Sequence, residues 1–144
     1  MTLRDLLEKG EGQAYVVNKN QPTTVTEIDC VMKTQHDFKE AFPIYRNYFF
    51  YGNDNGYILA RKSRAKNATH YNGTPRFIYI CSGTQFLHPT IRDLDKTKYD
   101  CYNCIIFLSK EDACNYVIEK LKKRKMELNG IITKINKFKF NVTE

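Results

Sequence analysis

No stretch of this 144-residue chain approaches the ~18 apolar residues that a membrane-spanning helix requires, which excludes a transmembrane reading. The first ten residues mix Arg4, Asp5, Glu8 and Lys9 with leucines and hold no apolar leader core, so a cytoplasmic chain is expected. Internal repeats and low-complexity tracts are absent, which excludes a solenoid or a linker-like polymer. Tryptophan is missing, and ten Tyr and nine Phe supply the 13% aromatic content, mostly inside strand-like runs. Enzyme signatures are equally scarce. There is no Walker-type phosphate loop, no Gly-x-Gly-x-x-Gly turn, no Gly-x-Ser-x-Gly elbow, no Cys-x5-Arg loop and no Asp/Glu pair at metal-site spacing. A helix-turn-helix, a zinc finger and the aromatic sheet signature of RNA-recognition domains are also lacking.

Cysteine is present but odd in number. Five thiols in a chain without a leader are expected to be free. Cys101 and Cys104 have the spacing of a zinc or redox pair, yet zinc needs four ligands and no second pair follows. In one strand, residues three apart face opposite ways, so joint ligation would require Cys101 to lie in the preceding turn. Cys81 leaves a predicted strand into a polar loop that reaches His88, a layout a Cys-dependent enzyme could use. Plain thiols are the expected reading at both places, with no metal and no cofactor.

What is abundant is positive charge in the second half. Residues 1–60 carry six basic and eight acidic side chains, a net −2, and residues 61–144 carry seventeen and eight, a net +9. Three clusters hold most of it: Arg61, Lys62, Arg64 and Lys66; Lys120, Lys122, Lys123, Arg124 and Lys125; and Lys134, Lys137 and Lys139. Basic residues near a helix end are also what the helix dipole favours, and strand lysines guard edges, so no single cluster marks a site. Together they point to a basic surface and an acidic partner. Tyr48, Tyr51 and Tyr57 lie in an aromatic run that could add stacking or contact area.

Taken in order, Thr2 caps a short helix over residues 3–9 that Gly10 ends. Residues 13–19 and 25–33 alternate as a strand hairpin, with Ile28, Cys30 and Met32 on one face. Thr34, with Asp37 three residues on, opens a second short helix whose buried face is Phe38, Ala41 and Phe42, and Pro43 stops it. Residues 44–51 and 57–60 form a second predicted hairpin around a Gly/Asn turn, and residues 76–81 another strand. A loop over residues 82–100, about 19 residues, is long enough to be functional or mobile, with one helical turn near residues 90–94. After a strand at residues 101–108, Ser109 caps a long helix over about 110–128 with a stripe of Cys114, Val117, Ile118, Leu121 and Leu128. Gly130 is expected to end it, and residues 131–142 to form a last strand with Phe138, Phe140 and Val142 on one face.

The expected fold is therefore α+β, one globular domain over residues 1–144. A mostly antiparallel sheet of five to seven strands carries one long helix on a face, with one or two short helices. The expected function is a small non-enzymatic binding protein whose basic surface engages nucleic acid or a nucleic-acid-handling complex. The alternative is a regulator or inhibitor that docks on an acidic partner protein. Richness in Lys, Asn, Ile, Tyr and Phe suits an A/T-rich coding genome, as in many phages. A Cys-dependent enzyme built on Cys81 and His88 is the weaker alternative.

Overall fold

The computed structural model describes residues 1–47, 56–65, 69–70, 73–81 and 83–141. The N-terminal helix α1 (Leu3–Lys9) forms where the sequence places it. Thr2 and Asp5 make a reciprocal capping box, and Gly10 closes the helix at φ 81°, a left-handed turn that glycine adopts without a Cβ clash. Strands β1 (Glu11–Asn18) and β2 (Thr26–Thr34) then pair as an antiparallel hairpin, Glu11 opposite Val31 and Val16 opposite Thr26. Thr34 ends β2 and caps helix α2 (Gln35–Ala41), its hydroxyl accepting from the Asp37 N–H at 3.1 Å.

The sheet is antiparallel throughout, α+β in class as expected, and runs β4-β3-β2-β1-β7-β6. Strand β3 (Tyr57–Lys62) lies beside β2, and β4 (Phe77–Ile78) and β5 (Phe86–Leu87) both pair with β3. On the other side, β7 (Cys104–Phe107) pairs with β1, and β6 (Lys98–Asp100) forms the far edge. Strict alternation sends Ile28, Cys30, Met32 and Ile106 to one face, where Leu3 and Leu6 of α1 and Leu87 and Leu94 cover them. The opposite face carries two clusters. Phe38 of α2 packs among Val31, Tyr45, Ile58, Ala60 and Phe77, and α3 (Lys110–Asn141) seats Ala113 and Val117 on Val17, Ile105 and Phe107.

Several sequence expectations are corrected. Pro43–Tyr45 is a 3-10 turn rather than the start of a strand, because Tyr45 turns inward. It is buried at 4% exposure among the rings of Phe38 and Phe77. Residues 48–55 of that predicted hairpin, with Tyr48 and Tyr51, lie outside the described residues, and its second strand is β3. Ala41 is exposed, so Phe38 and half-buried Phe42 form the packing face of α2. The strand predicted over residues 76–81 shortens to Phe77–Ile78, since the chain turns at Cys81.

The long connection from Gly83 to Asp100 is structural. Its Leu94 and Lys96 carbonyls accept the first N–H groups of α1, from Arg4 at 2.7 Å and Leu3 at 3.0 Å. Those donors have no partner inside a helix, so the loop completes the cap. A 3-10 turn at Ile91–Asp93 falls where one turn of helix is expected.

The largest correction concerns the C-terminus. Ser109 caps α3 through the Asp112 N–H at 3.2 Å, as expected, but Gly130 does not end the helix. The helix runs on to Asn141, and the predicted strand over residues 131–142 does not form. Gly130 keeps a negative φ, so it adds no C-terminal turn. The apolar spacing explains the outcome. Leu121, Leu128, Ile131, Ile135 and Phe138 follow a 7-3-4-3 rhythm that fits one helical face, whereas alternation accommodates neither Ile131 nor Ile135.

Candidate docking helix and thiol cluster

Only the first two turns of α3 pack on the sheet; from Ile118 to Phe140 every residue is exposed. Residues 118–141 would extend roughly 36 Å as a regular helix. The apolar stripe that buries Ala113 and Val117 does not stop at the sheet edge. It continues through Leu121 (46% exposed), Leu128 (42%), Ile131 (49%), Ile135 (59%) and Phe138 (71%). Spacings of three and four place these on the a and d positions of consecutive heptads, with Arg124 at the one d position that is not apolar. The positions flanking such a seam hold Lys120, Lys125, Lys134 and Lys139 against the single acid Glu127 and the apolar Ile132. Lys122, Lys123 and Lys137 fall on the far side of the helix.

The two later basic clusters of the sequence are thus one structure, a basic helix with an open apolar stripe. Its inner end meets the β1–β2 loop in a cleft of about 590 Å³, where Pro22 and Thr23 face Leu121 and Arg124. The ion pairs along the helix are loose, Lys122 to Glu119 at 4.0 Å and Arg124 to Glu127 at 3.8 Å. Such exposed pairs contribute little to stability, so they leave the charge available.

The first basic cluster is different. Arg64 forms a two-pronged pair with Asp29, Nε to Oδ2 at 2.7 Å and Nη2 to Oδ1 at 3.0 Å, and reaches Glu27 at 3.5 Å. Lys62 is paired with Glu11 at 2.9 Å. Their partners respond: Arg64 holds the Asp29 carboxyl below the usual range, and Lys62 does the same for Glu11. Arg61 is half-buried near the end of β3, and Lys66 lies outside the described residues. Tyr57 is half-buried against the α1-side core rather than presented to solvent. Lys62 and Arg64 are thereby neutralised on the sheet itself, a cancellation between residues far apart in sequence.

The cysteines hold the second concentration of chemistry. Cys101 lies in the turn between β6 and β7, with its N–H donating to the Cys104 carbonyl at 2.8 Å, so the opposite-face objection does not apply. Cys81 opens a second tight reversal, closed by the Thr84 N–H donating to its carbonyl at 2.9 Å, with Gly83 at φ 75°. The two turns meet, and the sulfurs of Cys81, Cys101 and Cys104 all lie within 4.8 Å of one another. Lys19 straps the second turn to the end of β1: its backbone N–H donates to Asn103 O at 2.9 Å and its ammonium to Cys101 O at 2.7 Å.

The thiols titrate as a group. Cys104 is brought down to about 7, chiefly by the Cys101 thiol donating to its sulfur, with Cys81 and the Lys19 charge adding to the effect. Cys101 moves up for the reciprocal reason, and burial leads the upward shift of Cys81. An activated nucleophile requires the opposite direction at Cys81. His88 is pulled down by burial and hydrogen-bonds to the Tyr57 backbone. Sequence reasoning missed this gathering because it joins residues 81 and 101 across a loop, a proximity no local spacing encodes.

Among the described residues, no helix is long and apolar enough to cross a membrane. Compared with known proteins, the chain matches no family model, no curated sequence and no solved structure, so its own side chains carry the functional argument.

Proposed function

We propose that this chain is a binding protein that docks on an acidic amphipathic helix of a partner protein, using the stripe of α3 beyond the sheet edge. The observation that carries this reading is the open apolar stripe framed by lysines. Exposed apolar surface of this extent and regularity marks an interaction site more often than chance exposure, and heptad spacing selects a helix as its complement. The flanking charge selects the kind of helix. Lys120, Lys125, Lys134 and Lys139 suit glutamates on the partner, and Arg124 within the seam calls for a carboxylate opposite it. A second copy of the chain is a poor match. In a parallel pair Lys120 would face Lys125 and Lys134 would face Lys139 of the other copy, with Arg124 against Arg124.

The test is a titration of the full chain with two synthetic heptad peptides, both with leucine seams, one flanked by glutamate and one by lysine. Binding is expected for the glutamate peptide alone. Ile135→Asp should weaken it on the order of 30-fold, about 2 kcal/mol, as for a central apolar contact. Equal affinity for both peptides, or indifference to Ile135→Asp, overturns the reading.

A second reading keeps nucleic acid as the partner, favoured by Lys122, Lys123 and Lys137 on the side of α3 away from the stripe. Phosphate binding through those residues would fall steeply with salt and would survive Ile135→Asp. A duplex titration in the same assay therefore separates the two.

A further inference from the structure

The thiol cluster stands apart from the docking helix and is independent of the reading above. Three sulfurs brought together by two separate tight turns form an unusual way to fill a core. Filling alone requires neither the left-handed Gly83 nor the double strap from Lys19, both of which hold the turns that carry the sulfurs. Zinc–thiolate bonds of about 2.3 Å in a tetrahedral arrangement place the sulfurs about 3.8 Å apart. The observed separations, all within 4.8 Å, exceed that spacing by at most about 1 Å. Cys81 and Cys101 are half-buried and Cys104 is buried, so the site is reachable yet shielded.

We propose that Cys81, Cys101 and Cys104 together bind one zinc ion, with the fourth position open to solvent. Adjoining the cluster is a small cleft of about 150 Å³ bounded by Asn18, Thr26 and Asn103, polar enough to hold a zinc-bound water. Thr84 takes the place in the first turn that Cys104 takes in the second, which is why the protein supplies three sulfurs rather than four. Binding leaves all three sulfurs as thiolates and releases the thiol protons they still carry to solvent, leaving a complex of net charge −1. The Lys19 ammonium beside that charge is hydrogen-bonded to the Cys101 carbonyl and also ion-paired with Asp100. A thiophilic ion is selected because the donors are all sulfur; magnesium and calcium prefer oxygen.

The experiment loads the reduced, metal-free full chain with Co²⁺ as a spectroscopic stand-in and then displaces it with Zn²⁺. A thiolate-to-cobalt charge-transfer band saturating at one ion per chain is expected, with native mass spectrometry confirming one zinc. Cys81→Ser and Cys104→Ser should lower the affinity by more than about 100-fold, since losing even an outer partner of a zinc ligand costs 10- to 100-fold. Cys30→Ser and Cys114→Ser should leave it unchanged. Failure of the reduced wild-type chain to develop the band overturns the proposal. So does undiminished affinity in Cys81→Ser. If a serine variant fails to fold, the wild-type titration still decides.

Discussion

The guanidinium of Arg64 is held on the surface of the sheet, gripping both oxygens of Asp29 and reaching Glu27 at 3.5 Å. Two carboxylates on the sheet, Asp29 and Glu11, have folded-state values below their ordinary range because each is paired with a cation. A depressed carboxylate contributes stability above its unfolded pKa, about 4, and loses it as pH falls through the folded value. Asp29→Asn should therefore be less stable than the parent at neutral pH. That difference should close once the pH falls below the folded-state value of Asp29, where both chains carry a neutral side chain. Urea melts of both proteins at the two pH values check the sign; a gap that widens in acid would contradict it. At this scale the sequence was partly legible. It showed Arg61, Lys62, Arg64 and Lys66 as one cluster, but the acids that pair with Lys62 and Arg64 come from β1 and β2 and become neighbours through strand pairing.

Among the elements, α3 shows how one signal overrides another. Gly130 is a plausible helix stop wherever the chain turns away, because only glycine accepts the left-handed turn cheaply. Here the stripe of Leu128, Ile131 and Ile135 continues across it, and the last turns carry Lys134, Lys137 and Lys139, the sign the helix dipole favours. The glycine remains a weak point, costing a helix interior about 1 kcal/mol relative to alanine. A Cβ at this position meets nothing within 4 Å. Gly130→Ala should therefore strengthen the projecting helix by roughly 0.5–1 kcal/mol, read as slower amide exchange over residues 126–138. Faster exchange there would mean that Gly130 is not helical. The shorter helices were legible because capping is local: Thr2 with Asp5, Thr34 with Asp37 and Ser109 with Asp112 each act within four residues.

For the molecule as a whole, the sheet and its two covered faces form one body, and the outer part of α3 adds exposed surface rather than core. Deleting residues 121–144 removes no buried side chain among those described. The melting temperature should shift by less than about 4 °C, the equivalent of roughly 1 kcal/mol at this size, while affinity for the acidic peptide disappears. A collapse in stability would show that the projecting helix supports the body.

The sequence by itself determined what depends on neighbours along the chain. Strand alternation chose the buried face of β2, the caps set where the helices begin, and the +9 of the second half located the excess of positive charge along the chain. Tertiary structure decided what depends on residues distant in sequence meeting in space. Strand pairing neutralised Lys62 and Arg64, ring packing drew Tyr45 inward, and two turns twenty residues apart brought Cys81 to Cys101 and Cys104. It also decided where the sheet ends beneath α3. Past that edge the same stripe that buries Val117 is left open, because the sheet supplies no more surface to cover it.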